Sequence, residues 1–440
     1  MGRSSIVYVI GFTLIVGLVL NRIAETSASS MDVYIAYYGS TRVHNIAVSA
    51  ANIGTTYLLK YSVFPSNFGV DFFGGHDSVY YLANMPKPLW TTLRSVAWTS
   101  MLDANGLVIR DTVDAVFDHV QFAKYSWFTE NETNGYLAPD GSHGPYYGAQ
   151  DWKVSGDSVF GPAHTNGAFN LDGTPYFAQK VTASHPSNLG PSADPQFKGG
   201  FEQPIYQSRP NTSALQTNLT SAATLGGGFF DETSTSNDVA LTFLNDQVRV
   251  QIPPGGSIRD TTMLMSALAS NGVIVVKNAD VHIKGTYNGE ITVAAFGGSG
   301  AATNKGNVWI DGDVVAKTNP VTNPASTDML GIIAGRMAYV TEDLSRTASS
   351  ELDIQAAIYC QNGELTAQDF WSIPASGRLN LYGGVTQVTA GSLGLSSGGP
   401  PLTLLNGFAY SINNDPRFAT RQPPLFPYSD SYELVSWWEN

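Results

Sequence analysis

The sequence predicts an α+β protein that is mainly β: a long amino-terminal helix, a small antiparallel sheet, and then a parallel β-helix-like solenoid. Three observations predict this fold class. Residues 6–20 are uncharged and mostly apolar, and a helical pattern continues beyond them. Charged residues make up only 13% of the chain, which also holds 44 Gly and 23 Pro, so strands and turns are favoured over surface helices. From residue 152 onward, short β-branched segments recur between glycines.

Residues 1–63 are predicted to form one membrane-inserted and then amphipathic helix. A polar start of five residues precedes the apolar stretch, and apolar residues then recur largely at steps of three and four. Gly39 and Gly54 weaken this helix without forbidding it. Pro65 should end it, because proline lacks an N–H and its ring clashes with the preceding turn. A helix from residue 5 to residue 63 would be roughly 85–90 Å long.

The amino terminus allows two other interpretations. Fifteen apolar residues are fewer than the ~20 that usually span a bilayer, and a cleaved signal peptide has an apolar core of about this length. Its cleavage site could lie near Ser27-Ala28-Ser29, although Arg22 and Glu25 would then occupy a normally neutral region. A plain signal anchor is the other alternative. We predict a membrane helix that includes Ile6, Phe12, Leu14, Leu18 and Leu20.

Residues 64–150 are predicted to form an antiparallel β head that packs on the apolar face of the helix. Segments 78–83, 92–101, 106–110 and 122–129 are rich in β-branched and aromatic residues that roughly alternate with polar ones. Asp103-Ala104-Asn105-Gly106 is a typical hairpin turn.

Residues 151–440 are predicted to form the solenoid, with an insertion at about residues 185–256 that is rich in Ser, Thr, Asn, Pro and Gly. Segments such as 272–276, 291–295 and 329–334 carry Val, Ile and Leu at irregular spacing. Stacked coils that bury ladders of these residues fit that spacing better than hairpins do. A β-sandwich is the alternative.

A short leader that ends in Gly2, a hydrophobic stretch soon after it, and a continuation rich in Ala, Ser and Tyr resemble the amino terminus of type IV pilin-like proteins. The resemblance implies cleavage after Gly2 by a prepilin peptidase, so that Arg3 becomes the first residue. Val7 then stands at the fifth mature position, where major pilins commonly carry Glu. The resemblance is therefore to the minor-pilin type.

The body resembles a large, poorly characterised family of bacterial surface and pilus-assembly proteins that carry such amino termini. The resemblance rests on the order and joint presence of several motifs, including residues 156–167, 328–334, 381–384 and 415–427. It implies a cell-surface or filament-associated role and supplies no catalytic residues.

Sites for chemistry are sparse in this sequence. His164 is predicted to be a turn histidine bonded to backbone and His282 to face outward from a strand, and neither has an evident partner for base or metal chemistry. The pairs Asp311 and Asp313, and Asn413 and Asp415, offer oxygen atoms to Ca²⁺ but fit no calcium-loop pattern. The single cysteine, Cys360, lies in a predicted strand and should be a buried, inert thiol. We predict no catalytic residue, no metal and no cofactor.

The net charge and the aromatic residues limit which binding partners the sequence predicts. The net charge is −13, and residues 1–60 contribute +2, so the remainder carries −15. This argues against nucleic-acid binding, which needs a basic face. Aromatic residues that could contact another subunit or surface glycans are Tyr146, Tyr147, Trp371, Trp437 and Trp438.

Together these features predict a non-enzymatic, pilin-like surface or filament subunit. Its helix would sit in the inner membrane, its body outside the cytoplasm, and its partners would be other pilin-like subunits or copies of itself. The alternative is a membrane-tethered carbohydrate-binding protein or a polysaccharide-degrading enzyme.

Mass spectrometry of the protein isolated from its host membrane tests the processing prediction. We expect a mature chain that begins at Arg3, because the resemblance places the cleavage after Gly2. An intact Met1 would instead identify a plain signal anchor. A chain that begins near residue 30 would identify a cleaved signal peptide and contradict both membrane-helix hypotheses.

Overall fold

The structure, a computed structural model, describes residues 3–61, 67–72, 75–83, 90–103, 106–210, 212–233, 237–397 and 404–439. The chain divides into two compact units, one made of residues 1–120 and 430–440 and one made of residues 121–429. The sequence-based boundaries were placed at residues 63 and 150. Residues 121–150 thus fall in the larger unit, and the last eleven residues fall in the smaller one.

The smaller unit combines one long helix with a five-stranded sheet. Helix α1 spans Arg3–Tyr61, and the sheet contains β1 (Phe68–Phe72), β2 (Gly75–Ala83), β3 (Thr91–Leu102), β4 (Val108–Gln121) and the terminal strand Tyr428–Glu439. Strands β1 to β4 are antiparallel neighbours, and the terminal strand borders β4. The predicted long helix and antiparallel sheet are confirmed. Gly2, Pro65 and the centre of the 103–106 turn lie outside the described residues.

Every other described strand belongs to the larger unit. In chain order its elements are β5 (Trp127–Asn131), β6 (Trp152–Lys153), β7 (Ser158–Val159), β8 (Ala163–Thr165), β9 (Asn170–Leu171), β10 (Tyr176–Phe177), β11 (Val181–Ala183), β12 (Asn188–Leu189), β13 (Gln196–Phe197), β14 (Phe201–Glu202), α2 (Thr212–Gly226), β15 (Phe229–Asp231), β16 (Val239–Asn245), β17 (Gln247–Ile252), β18 (Arg259–Leu264), α3 (Met265–Leu268), β19 (Val273–Lys277), β20 (Val281–Tyr287), β21 (Glu290–Phe296), β22 (Val308–Ala316), β23 (Met329–Ala334), β24 (Ala338–Val340), β25 (Glu351–Cys360), β26 (Leu365–Ala367), β27 (Ala375–Thr389), β28 (Gly394–Ser396) and β29 (Leu404–Asn413). Short 3-10 helices span Phe122–Lys124, Gly300–Ala302 and Pro416–Ala419.

Most strand pairs in the larger unit are parallel and join strands that are not consecutive in the chain. One series runs through β19, β21, β23, β25 and β27, and a second runs through β16, β20, β22, β24 and β26. Antiparallel pairs occur as well, between β16 and β17, β17 and β18, and β28 and β29. The large sheet is therefore mixed. The mainly-β content is confirmed, and strands β13 to β17 of the predicted insertion belong to this sheet.

The core of the larger unit is built by stacking apolar residues in register from strand to strand. One such row consists of Ile274, Val293, Ile332, Ile358, Val385, Trp127, Ala163 and Val181. All eight are buried members of one hydrophobic cluster. Because parallel pairing keeps like positions above one another, β-branched side chains fill this row with little loss of packing.

Gly384 shows how tightly β27 passes its neighbours. A Cβ atom at this position would collide with the backbone carbonyl oxygen of Tyr125. A carbonyl oxygen of the main chain cannot swing aside as a side chain does, so only glycine fits here.

Candidate functional site

The amino-terminal part of α1, residues 6–38, is not covered by the protein's own sheet, and we call it the free segment. Its side chains are exposed at nearly every position; Phe12, for example, is 71% exposed and Leu18 63%. Apolar residues stand at consecutive positions such as 6–10 and 14–16, so they surround the helix axis and do not form one stripe. A helix that is apolar all round needs a covering of lipid or of other helices.

The length of the uncharged part of the free segment matches a bilayer. Residues 4–21 carry no charged side chain, with Arg3 before them and Arg22 after them. Eighteen residues at 1.5 Å each span about 27 Å, close to the ~30 Å of a bilayer's hydrocarbon core. The Thr13 hydroxyl donates to the carbonyl oxygen of Val9 at 2.6 Å, so this polar group is satisfied within the helix. Among the described residues, α1 is the one helix long and apolar enough to cross a membrane.

The rest of α1, residues 39–61, carries one buried stripe and is the docked segment. Its buried positions follow the steps of three, four and one that place residues on one helical face: Gly39, Val43, Ile46, Ala47, Ala50, Ala51, Gly54, Thr55 and Leu58. Small residues dominate this stripe. A Cβ on Gly54 would stand 2.5 Å from Cδ1 of Leu93, so the helix lies close against β3. The docked segment therefore fixes the direction in which the free segment extends from the five-stranded sheet.

A buried carboxyl group lies beneath the docked segment. The Ser95 hydroxyl oxygen is 2.7 Å from Oδ2 of Asp77 and 2.9 Å from the carbonyl oxygen of Ala47 in the helix. One hydroxyl proton cannot serve both acceptors. If Asp77 is protonated, its O–H donates to Ser95 and Ser95 donates to Ala47, which completes the chain. Burial raises the pKa of Asp77 to about 6, against the lowering effect of the Ser95 hydrogen bond.

The five predicted contact aromatics lie in both units. In the larger unit, the Tyr146 and Trp371 rings are neighbours, 6.5 Å apart between centroids, and Trp371 stands edge-on to buried Tyr136 at 4.8 Å. Tyr147 stacks on His143 at 3.7 Å. In the smaller unit, Trp437 packs against the core, whereas Trp438 is 61% exposed. All five stay candidates for contact, and Tyr146, Tyr147 and Trp438 are the most exposed of them.

The predicted histidine and acid sites are engaged in local structure. His164 lies in strand β8 and not in a turn; its Nε2 is 2.9 Å from Oδ1 of Asn166 and its Nδ1 is 2.7 Å from the Thr182 hydroxyl. Burial lowers the pKa of His164 to about 4, so its ring is neutral at pH 7. Ring atom Nδ1 of His282 is 3.0 Å from Oδ2 of Asp311.

The remaining acids named above are also held by local bonds. Asp415 is bound by Arg417 at 2.6 Å, and Oδ1 of Asp313 accepts the backbone N–H of Asp353 at 3.0 Å. Within the described parts of the chain, no three His, Cys, Asp or Glu side chains are grouped to hold a metal ion. Cys360 is fully buried, as expected, and burial raises the pKa of its thiol.

Sequence inspection missed a buried charge cluster. The Lys153 side chain is almost fully enclosed; its Nζ contacts Asp151, is 3.7 Å from Glu132, and lies 3.8 Å from the ring centre of Trp127. Burial disfavours its charged form, but Asp151 and Glu132 outweigh that effect and raise the pKa of Lys153. Nothing in the local sequence Asp151-Trp152-Lys153 distinguishes this lysine from a surface one. Its partner Glu132 is 21 residues away in the chain.

Sequence inspection also missed a groove of about 570 Å³ on the larger unit. Three parallel strands present the same polar-apolar-polar triplet in register: residues 353–355 on β25, 380–382 on β27 and 411–413 on β29. Their central residues, Ile354, Leu381 and Ile412, are buried in the core. The polar residues beside them point to the other face and include the groove residues Asp353, Asn380, Tyr382 and Asn413. The repeated polar-apolar-polar triplet is the sequence feature that could have indicated this groove.

No family model matches this chain, and no curated protein matches it. Among solved structures, the chain is similar to the competence-associated pilin ComZ from Thermus thermophilus. The alignment has 12% sequence identity and a TM-score of 0.39, and it covers 92% of this chain and 97% of that one.

The carboxyl group under the helix predicts that docking weakens as the pH rises. Between about pH 4 and 6 the folded state holds a proton that the unfolded chain has already released, so Asp77 stabilises progressively less, and above that range its ionisation opposes docking. Asp77→Asn keeps an N–H donor to Ser95 at every pH. We expect this variant to stabilise the docked segment by roughly 2 kcal/mol at pH 8 and hardly at all near pH 4.

Hydrogen exchange of peptides covering residues 43–58 and 75–83 measures this effect, with variant and wild type compared at each pH. Asp71→Asn is the matched control, because the Asp71 side chain is 80% exposed on the neighbouring strand. Equal protection of the Asp77→Asn variant and the wild type at pH 8 would contradict the role of Asp77.

Proposed function

We propose that this chain is a non-enzymatic, pilin-like subunit that is anchored in the inner membrane by the free segment of α1 and presents its β-rich body outside the cytoplasm. The observation that carries the proposal is the exposure of residues 6–38, whose first part, residues 6–20, is apolar on all sides, in a helix whose other end is docked on a sheet. Burial of one large apolar side chain is worth about 1.5–3 kcal/mol. For the apolar residues of this segment together, the gain is on the order of tens of kcal/mol.

The helix extends beyond what a bilayer alone requires. The uncharged stretch ends at residue 21, yet exposed apolar side chains continue through Met31, Val33, Tyr34 and Tyr38. Lipid tails do not reach residues 31–38 if residues 4–21 span the hydrocarbon core. Equivalent helices of other pilin-like subunits, or of copies of this chain, would cover them on assembly. The predicted cleavage after Gly2 would place Val7 at the fifth mature position, which favours a minor or accessory subunit of a type IV pilus or pseudopilus.

The body is proposed to be the adhesive or contact region of this subunit. Its parallel strand series support a solenoid-like coil, with Tyr146, Tyr147 and Trp371 on its surface as contact residues. The acidic charge of the chain beyond residue 60 supports partners other than nucleic acid. The alternative function is carbohydrate binding or polysaccharide degradation on a membrane tether, and of these two the polar groove favours carbohydrate binding.

Two acidic substitutions test the membrane anchor. In Leu14→Asp with Leu18→Asp, two charges enter the middle of the apolar stretch, each at a cost of about 2.5–3.5 kcal/mol. We expect the double variant to lose most of its carbonate-resistant membrane association when the full chain is fractionated from cells.

The control keeps the same spacing and the same charge. Ser27→Asp with Met31→Asp places two carboxylates four residues apart on the exposed helix beyond Arg22. This variant should stay in the membrane fraction. If both double variants extract alike, the free segment is not the anchor.

Cysteine cross-linking separates an assembling subunit from a simple tethered protein. The natural thiol of Cys360 is fully buried, so a cysteine introduced at an exposed position is the reactive one. Tyr34→Cys on the free segment and Tyr206→Cys on the body start from side chains of equal exposure, 66% each. In isolated membranes treated with a bismaleimide, we expect Tyr34→Cys to yield cross-linked species several-fold more abundantly.

Mass spectrometry of the cross-linked band identifies the neighbour as a copy of the chain or another subunit. A Tyr34→Cys variant that stays monomeric, or links no more than Tyr206→Cys, would contradict helix-to-helix assembly and leave a plain anchor.

A further inference from the structure

The polar groove of the larger unit has the chemistry of a saccharide site. We propose that it binds a neutral oligosaccharide, without hydrolysing it, along the repeated triplets of β25, β27 and β29. This inference adds a ligand to the proposed subunit and does not depend on the membrane anchor, because the groove lies wholly within residues 121–429.

The side chains of the groove are held in place by one another. Nδ2 of Asn380 donates to Oδ1 of Asp353 at 2.9 Å, and Nε2 of Gln355 donates to Oδ1 of Asn319 at 3.2 Å. Nδ2 of Asn413 donates to the Ser411 hydroxyl at 3.0 Å. Strand pairing fixes the backbones beneath them. Polar groups that are already ordered lose little conformational entropy when a ligand binds.

Hydrogen-bonding capacity remains after these internal bonds. An amide side chain offers two N–H donors and two acceptor lone pairs. Asn380 donates one N–H to Asp353. In the described structure, its second N–H and its Oδ1 make no hydrogen bond to the protein. The Tyr382 hydroxyl, half-buried beside it, likewise has no protein hydrogen bond among the described residues. Donors and acceptors side by side suit vicinal hydroxyl groups, each of which both donates and accepts.

Apolar surface completes the groove. Phe160 is 41% exposed and Val321 56% exposed, and both line it together with Pro416. A sugar ring has polar edges and apolar C–H faces, so it is complementary to ordered amides next to an aromatic ring. Ligand sites of roughly 300–1,000 Å³ commonly combine apolar walls with a few fixed polar groups, and the volume of this groove lies in that range.

The charge of the groove favours a neutral ligand. Asp353 is the one ionisable acid among its described lining residues, and none of those residues is Lys or Arg. Phosphate and uronate groups would meet the Asp353 carboxylate there, and the nearby Arg417 is already paired with Asp415.

The number of carboxyl groups in the groove also decides between saccharide binding and saccharide hydrolysis. Glycoside hydrolysis ordinarily needs two carboxyl groups, about 5–10 Å apart, across the scissile bond. The nearby Asp415 is not a second one, because it is buried and bound on both oxygens by Arg417.

Isothermal titration of the full chain tests the inference. The chain is held in nanodiscs, because maltoside detergents carry sugar themselves. The probes are cellotetraose, maltotetraose and N,N′,N″,N‴-tetraacetylchitotetraose, with tetragalacturonate as the acidic contrast. We expect saturable binding of at least one neutral probe, no binding of tetragalacturonate, and no cleavage products by mass spectrometry after overnight incubation.

Variants locate the site. Asn380→Ala and Tyr382→Ala should each weaken binding tenfold or more, and Tyr382→Phe provides a milder test if Tyr382→Ala does not fold. Asn288→Ala is the matched control for Asn380, because its amide also pairs with an aspartate, Asp246, away from the groove. Tyr206→Ala is the control for Tyr382, because Tyr206 is an exposed tyrosine of the larger unit that does not line the groove. Neither control should alter binding.

Three results would overturn the proposal. They are the failure of all three neutral probes to bind, tighter binding of tetragalacturonate, and binding that Asn380→Ala leaves unchanged in a folded protein. Cleavage of a bound probe would overturn the binding-only assignment. Failure here leaves membrane association and cross-linking through residue 34 unaffected, so the two proposals can fail separately.

Discussion

The helix α1 has more apolar surface than its own sheet can cover, and the rest of the smaller unit is organised around that excess. Between residues 39 and 61 the buried positions form one stripe, and small residues such as Ala47, Ala50 and Gly54 bring the helix close to β3. Before residue 39 there is no buried stripe, and up to residue 20 the apolar side chains point in every direction. One helix therefore meets two different environments, and the sheet is the environment that the chain itself supplies.

Helix and sheet were predictable because local patterns encode them. The steps of three and four between apolar residues from Val43 to Leu58 describe the docked face directly, and the alternation in residues 92–101 gave strand β3. The strand partners in the larger unit were harder to predict from the sequence. Trp127 stacks on Val385 and on Ala163, and no periodic signal links residues that far apart. The terminal strand, which borders β4 in the sheet of the smaller unit, could not be assigned there from the sequence for the same reason.

Some of the candidate site residues could likewise be predicted from the sequence, and others could not. The free segment was visible in the sequence, since an uncharged apolar run is a local property. His164 was placed in a turn because glycine, proline and asparagine surround it, yet it continues a row of stacked side chains above Phe128, with ring centres 4.8 Å apart. Tertiary stacking overrode the local turn signal. To predict the groove, one would have to know that three triplets far apart in the chain share one register. To predict that Lys153 is buried, one would have to know that Glu132 lies against it in the fold.

The smaller unit is built from both ends of the described chain, and this sets an order of events during synthesis. Residues 122–427, which are 306 residues, separate β4 from the strand that completes its edge. While those residues are unfolded, bringing the two strands together carries the entropy of closing a very long loop. The free segment, the docked segment and four strands leave the ribosome first, with one sheet edge open. The smaller unit is therefore the first to begin folding and the last to finish, because its final strand can pair with β4 only after the larger unit has left the ribosome.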